Sequence, residues 1–197
     1  MPLFARIAAT NGYPQIYRQQ FVVRNVTEHF RIPIQMQKRP EKEPTMENLI
    51  ISLDFDKSKF PNKHTCDGED ISPLIRLDRI HSKYLAIVLD DIIGPSEIFT
   101  HWLIWNFEAR DSIPENVPKQ AEIAEPFKAI QGTNDFGTIG YRGPCPPPGE
   151  GHSYYFNVYG FDIPLDIAPG AKRTILMKAM EGRMVQYGGQ AIAVYQR

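Results

Sequence analysis

The sequence predicts a mainly β domain carrying one short helix, and three observations lead there. Residues 84–89, 99–107 and 153–161 are apolar or aromatic stretches of strand length, the second alternating with a period of two. Seventeen of the 197 residues are proline, nearly twice the usual share of about 5%, so short elements joined by rigid turns are expected. Only residues 171–181 place apolar side chains at helical spacing.

Taken in order, the first forty-five residues stand apart. Residues 21–26 are strand-like, but their neighbours show no sustained period, and residues 38–44 are charged and proline-bounded as linkers are. Residues 1–45 are therefore expected to form a weakly structured extension or linker. Met46 reads as the native start of a domain over 46–197, the upstream stretch being an extension or a start-site artefact.

Within that domain residues 49–55 form a first strand, and residues 60–73, rich in Pro, Asn, Asp and Gly, form a long ordered loop. The unbroken apolar run at 84–89 predicts a central strand buried on both faces. Alternation along 99–107 assigns His101, Leu103, Trp105 and Phe107 to one face and Trp102, Ile104 and Asn106 to the other. Residues 153–161 give a third aromatic strand and 190–196 a short closing one. In the helix, Ile175, Leu176, Ala179 and Met180 share a side, and Gly182 suits the position just past the end, where a left-handed conformation is cheap without a Cβ. Trp102, Trp105, Phe107, Tyr155, Phe156 and Tyr159 are assigned to the core, not to a base-stacking surface.

Composition removes several function classes. Net charge is −1 with scattered charges, so the basic surface of a nucleic-acid binder is missing. No apolar run approaches the ~20 residues of a membrane span. Residues 1–20 hold no continuous apolar segment of a secretory signal, which makes the cytoplasm the default compartment. The two cysteines, Cys66 and Cys145, allow one intramolecular pairing, although in a reducing compartment two separate thiols are the simpler reading.

Chemistry-bearing groups gather in three segments. Asp90 and Asp91 end the central strand; either alone is as readily a solvent-facing turn cap. His101 opens an apolar strand face, where a lone histidine is more often a hydrogen-bonded core residue than a ligand. A stiff loop with three consecutive prolines between Gly143 and Gly149 leads to His152 and Tyr154 on one strand face. Together an Asp, two His and a Tyr at strand ends make a pocket with apolar walls. Its histidines can donate to an anionic oxygen, and Gly-rich turns let backbone N–H groups approach the same anion.

The same residues carry a family resemblance. Thr65-Cys66-Asp67-Gly68 with Ile71-Ser72-Pro73, then His101-Trp102, then Gly140-Tyr141-Arg142-Gly143-Pro144-Cys145-Pro146-Pro147 and Gly151-His152-Ser153-Tyr154 resemble, in order and spacing, motifs of the phosphatidylethanolamine-binding (Raf kinase inhibitor-like) family, bacterial and archaeal branch. The resemblance spans about residues 46–197. It implies two antiparallel sheets packed as a sandwich, with a short C-terminal helix and a small pocket at one end. It also implies a small soluble protein that binds phosphate-like anions, with inhibition of kinases or serine proteases known for some members. By position, Asp91, His101 and His152 would form the pocket's polar core, and Pro95, Phe99, Gly143, Cys145, Pro146 and Tyr154 its walls and rim. No cofactor, metal or catalysis is implied. One departure stands out: where the family has a second acidic residue this chain has Ile93, which should leave a histidine without one carboxylate partner and lower its pKa.

Two enzyme readings compete. Asp91, His101 and His152 could form a two-histidine, one-carboxylate metal site, yet they come from separate segments without zinc-type spacing. Cys145 and His152 could form a hydrolase pair, although no cysteine-hydrolase signature accompanies them. No Gly-x-x-x-x-Gly-Lys phosphate loop is present.

Overall fold

The computed structural model describes residues 48–57, 59–94 and 97–197. The extension expected over residues 1–45, and Pro95 among the candidate site residues, lie outside the described residues.

Two antiparallel sheets and one short helix build the domain. The strands are β1 (Ile50–Leu53), β2 (Ile75–Asp78), β3 (Tyr84–Gly94), β4 (Glu97–Glu108), β5 (Ser112–Ile113), β6 (Glu122–Ile123), β7 (Ala129–Gln131), β8 (Gly151–Phe161) and β9 (Met184–Gln196), with α1 (Arg173–Met180) before β9. The larger sheet runs β6-β7-β4-β3-β8-β9 and the smaller β1-β2-β5. The apolar run at 84–89 thus sits at the centre of the larger sheet, as its lack of alternation requires.

Both faces of that sheet are covered. Leu85, Ile87, Leu89, Trp102, Ile104, Phe156 and Val158 meet Ile51, Leu53, Ile75, Leu77 and Ile113 of the smaller sheet in one core cluster. Ala86, Val88, Leu103, Trp105, Tyr159 and Phe161 meet Leu165, Leu176 and Met180 in a second, on the helix side. The one polar group on the Trp102 ring is satisfied inside the core: Nε1–H donates to Gln131 Oε1 at 2.6 Å, and Gln131 Nε2 donates in turn to the Pro118 and Gln120 carbonyls. Of the six aromatic residues assigned to the core, five are buried and Tyr155 is half-buried.

Two bulges in β4 correct the simple alternation. Leu85 faces Phe107 while Ala86 faces Trp105, so Asn106 is extra, with φ at +58°. Phe107 therefore rejoins the Trp102 and Ile104 face instead of staying with Leu103 and Trp105. At the other end Leu89 faces Trp102 while Asp90 faces Thr100, which leaves His101 outside the pairing. A period-two reading cannot anticipate an inserted residue, and each bulge inverts everything beyond it.

The helix and last strand also differ from expectation. α1 covers eight residues, and of its expected apolar side Leu176 and Met180 are buried while Ile175 is 52% exposed. Eight residues against a flat sheet bury only a narrow stripe. Gly182 follows with φ at +68°, as its place after the helix end requires. β9 is thirteen residues long, not seven, because it pairs with β8 through Gly188 and Gly189, which interrupt its sequence pattern. A Cβ at Gly188 would stand 2.4 Å from the Val158 carbonyl oxygen. The outer side of β9 is bonded by the chain around β1: Val194 N–H donates to Lys57 O at 3.0 Å, Phe60 N–H donates to Val194 O at 2.8 Å, and Gly189 N–H donates to Leu49 O.

Candidate functional site

Three adjacent strands end together and bring the candidate groups with them. Register pairs Asp91 of β3 with Tyr154 of β8. Along β3 the odd residues Leu85, Ile87 and Leu89 face the sheet-to-sheet core, so Asp91 continues that face where the core runs out. His152 lies two residues before Tyr154 on the same face, diagonal to Asp91, and its Nδ1 is 2.6 Å from Asp91 Oδ2. The neighbouring Asp90 turns the other way. Arg173 of α1 donates to both its carboxylate oxygens at 3.1–3.2 Å, and Thr100 donates at 2.9 Å, so this acid is a structural ion pair. The family resemblance assigned Asp91 alone to the pocket, and alternation along the strand gives the physical reason the two acids part.

The bulge at His101 is what delivers that residue to the pocket. Released from the ladder, its ring stands edge-on to Tyr154 at 5.2 Å and close to Phe99 and Phe136, instead of lining the Leu103 and Trp105 face. Its Nδ1–H donates to the carbonyls of Arg142 (2.8 Å) and Gly143 (3.1 Å), which fixes the neutral tautomer and leaves Nε2 available to the cavity. Those carbonyls are themselves anchored. Asp70 accepts the Gly143 N–H at 2.7 Å, the Arg142 guanidinium at 3.1 Å and Lys119 at 2.8 Å. Tyr141 donates its hydroxyl to His64 O at 2.6 Å. Gly143 has no room for a side chain, since a Cβ would stand 2.0 Å from the His64 carbonyl oxygen. Gly143 thus sits behind His101 as support, not on the pocket wall.

The resulting cavity measures about 170 Å³ and is lined by Asp91, Ile93, Phe99, His101, Phe136, Cys145, Pro146, Pro147, His152 and Tyr154. Larger concavities occur elsewhere, of about 520 Å³ beside Arg110 and Phe127 and about 640 Å³ beside Tyr195 and Arg197. The smaller one is where the histidines, the carboxylate and the phenol converge. Seven of the nine candidate site residues line it. Ile93, singled out as the departure from the family pattern, lines it too, while Phe136, Pro147 and, at its edge, Glu150 were missed. Glu150 lies two residues before His152, so period-two reasoning had the signal for it; Phe136 is carried in by a turn whose Asp135 accepts the Thr100 N–H at 2.7 Å, which no local pattern announces.

The two histidines are tuned in opposite directions. The hydrogen bond to Asp91 raises the His152 pKa above its ordinary value by more than burial lowers it, and Glu150 Oε2, 3.3 Å from Nε2, raises it further. Burial lowers the pKa of His101, only partly offset by its backbone bonds and by Asp91. Burial likewise holds the Tyr154 phenol well above its usual range. The Cys145 backbone offsets part of that rise, and the Tyr154 hydroxyl makes no well-formed hydrogen bond.

Ile93 lines the cavity as an apolar residue, and Glu150, just before β8, gives His152 a second carboxylate beside Asp91. One expectation is corrected here. Cys66 and Cys145 are not separate thiols: they form a disulfide with Cα atoms 5.4 Å apart. A bonded sulfur offers no thiolate, so a Cys145–His152 hydrolase pair has no nucleophile. Among the described residues no three His, Cys, Asp or Glu side chains converge as a metal-ligand set.

The chain is similar to known proteins over about three quarters of its length. The model of a family described as "Phosphatidylethanolamine-binding protein" matches residues 50–195. A UPF0098 protein of Pyrococcus horikoshii is 46% identical over 154 residues, 76% of this chain and 77% of its own. A UPF0098 protein of Aquifex aeolicus is 35% identical over 75% of this chain and 88% of its own. Among solved structures, a phosphatidylethanolamine-binding protein homologue of Chlamydia trachomatis superposes with a TM-score of 0.65 at 27% identity, covering 76% of this chain and 98% of that one. Escherichia coli YbcL superposes at 0.67 with 21% identity, over 76% and 99%, and speaks for the fold.

Proposed function

The chain belongs to the phosphatidylethanolamine-binding protein family, and from that premise we propose that its pocket binds a small anion, a phosphate or phosphorylated headgroup. The observation that carries this reading is a pair of imidazoles on the walls of a cavity of about 170 Å³, too small for more than one compact polar group. His152 is held toward its cationic form by Asp91 and Glu150. His101 is oriented by its Nδ1 bonds so that Nε2 faces the cavity, where the neutral ring can accept a hydrogen bond from an entering acid anion. Apolar rings and prolines around them exclude water and strengthen both contacts. No catalytic role is proposed.

NMR titration with phosphate and phosphoethanolamine tests the reading, with His101→Ala and His152→Ala as controls. Saturable shifts in the wild type that vanish in both variants are expected; a wild type that binds neither ligand sinks the proposal.

A second reading, inhibition or modulation of a kinase or serine protease, is favoured by the rim. Ile92 and Ile98 pair across the β3–β4 hairpin and are 49% and 43% exposed, beside Ile93 and Phe136. Ile98→Asp should abolish any inhibition found across a panel of kinases and proteases without changing anion binding; inhibition that survives the change removes the rim from the argument. No helix among the described residues is long and apolar enough to cross a membrane. We retain the cytoplasm as compartment, with one condition. Stable disulfides in that compartment are a feature of hyperthermophiles, so trapping the thiol state of Cys66 and Cys145 in freshly lysed cells tests the two together.

A further inference from the structure

The next inference rests on the anion-pocket reading and narrows the class of anion. Two polar atoms among the pocket-lining side chains are sealed from solvent without a hydrogen-bond partner: Asp91 Oδ1 and the Tyr154 hydroxyl. Asp91 is 4% exposed, and its other oxygen is occupied by His152 Nδ1. A carboxylate oxygen can only accept. His101 adds a further acceptor, because its Nδ1–H is committed to the Arg142 and Gly143 carbonyls and the lone pair of the neutral ring lies at Nε2.

The inner wall is therefore rich in acceptors. The nearby cations are already engaged: His152 lies between Asp91 and Glu150, and the Arg142 guanidinium is bound to Asp70 at 3.1 Å. A tetrahedral anion with bare oxygens would press one of them against Asp91 Oδ1 and leave that atom unpaired. An acid phosphate brings its own O–H, which Asp91 or His101 Nε2 can accept, while its remaining oxygens face His152 and take the Tyr154 proton.

We propose that Asp91 Oδ1 reads a proton on the ligand, so that the pocket takes hydrogen phosphate or a phosphomonoester carrying a P–OH in preference to tetrahedral anions without one, sulfate and phosphodiesters. Asp91 is then the residue that sets specificity, distinct from His152, whose positive charge supplies attraction. An unpaired buried acceptor costs about 1–3 kcal/mol, and more when charged, which corresponds to a preference of about tenfold or greater.

Calorimetric titration at neutral pH and fixed ionic strength tests this with three tetrahedral oxyanions: inorganic phosphate, sulfate of matching size, and the bulkier dimethyl phosphate. Inorganic phosphate carries at least one O–H there, and the other two carry none. The wild type should bind phosphate at least about tenfold more tightly than either. Asp91→Ala should bring the ratio close to one. Asp91→Asn, which keeps the shape and can turn an N–H toward the ligand, should do so by gaining sulfate affinity; backbone NMR spectra check that both variants keep the fold. Equal binding of phosphate and sulfate by the wild type overturns the proton-reading role while leaving the anion pocket standing. An unchanged ratio in Asp91→Ala overturns it as well. Absence of binding by all three probes overturns the anion pocket and this inference together.

Discussion

Removing the bond between Cys66 and Cys145 should destabilise the domain without unmaking its pocket. The two residues are 79 apart in sequence, so the bond closes a loop holding about half of the described chain. With that separation, chain-entropy bookkeeping gives about 4.5 kcal/mol of lost stability on opening the loop. The folded geometry itself should survive, because other links hold the same two segments: Cys66 N–H donates to Pro144 O at 3.1 Å, Asp70 accepts the Gly143 N–H, and Tyr141 donates to His64 O. The cost therefore falls on the unfolded chain, which becomes freer. At a urea slope near 2 kcal/mol/M it appears as a midpoint about 2 M lower, a large part of the stability of an ordinary domain of about 5–15 kcal/mol. The assay is equilibrium unfolding of the Cys66→Ser/Cys145→Ser double variant against the oxidised wild type, followed by the fluorescence of the two buried tryptophans. Coincident midpoints with equal slopes would refute the reasoning, as would a double variant whose anion-binding spectrum is lost while its fold is retained.

Two further outcomes follow from the site. The His152 pKa, read by NMR, should lie above 6.5 and fall in Glu150→Gln, and fall further in Asp91→Asn, since the Asp91 hydrogen bond is the larger cause. A raised folded pKa means that this contribution to stability is full below about 6.5 and is lost as pH rises through the folded value; a wild-type titration at or below 6.5 contradicts it. Gly143→Ala should cost about 3 kcal/mol, because the added Cβ meets backbone atoms that cannot yield, and it should loosen the carbonyls that hold His101; a melting temperature unchanged from the wild type would show that the loop simply backs away.

Much of this architecture was legible because its signals are local. An unbroken apolar run has to be covered on both sides, and β3 is. The aromatic stretch at 153–161 is likewise a strand, β8, with Tyr154 and Phe156 in one core cluster and Tyr159 in the other. What escaped depends on residues that pair far apart. β2, β5, β6 and β7 are two to four residues long and exist only by virtue of their partners. The bulge at His101 is decided by how β3 and β4 register, not by anything in Phe99-Thr100-His101-Trp102 itself. The pairing of Cys66 with Cys145 was open for the same reason, since spacing alone says nothing about which loops meet. At the site, resemblance supplied the residues and the structure supplied their division of labour: Asp90 to the helix, Asp91 to the pocket, Gly143 to the support of His101.

The bonds that the chain around β1 makes to the outer side of β9 have a consequence away from the pocket. An open strand edge is a row of unused donors and acceptors that a second molecule can extend, the first step toward fibrils. β9 is thirteen residues long and carries exposed Met184, Tyr187, Ile192 and Val194, the composition such growth favours. Leu49, Lys57 and Phe60 already occupy that row at Gly189 and Val194, and the opposite edge, β6, offers two residues only. Concentrated solutions of this domain should therefore resist templated assembly for as long as the segment around β1 stays seated.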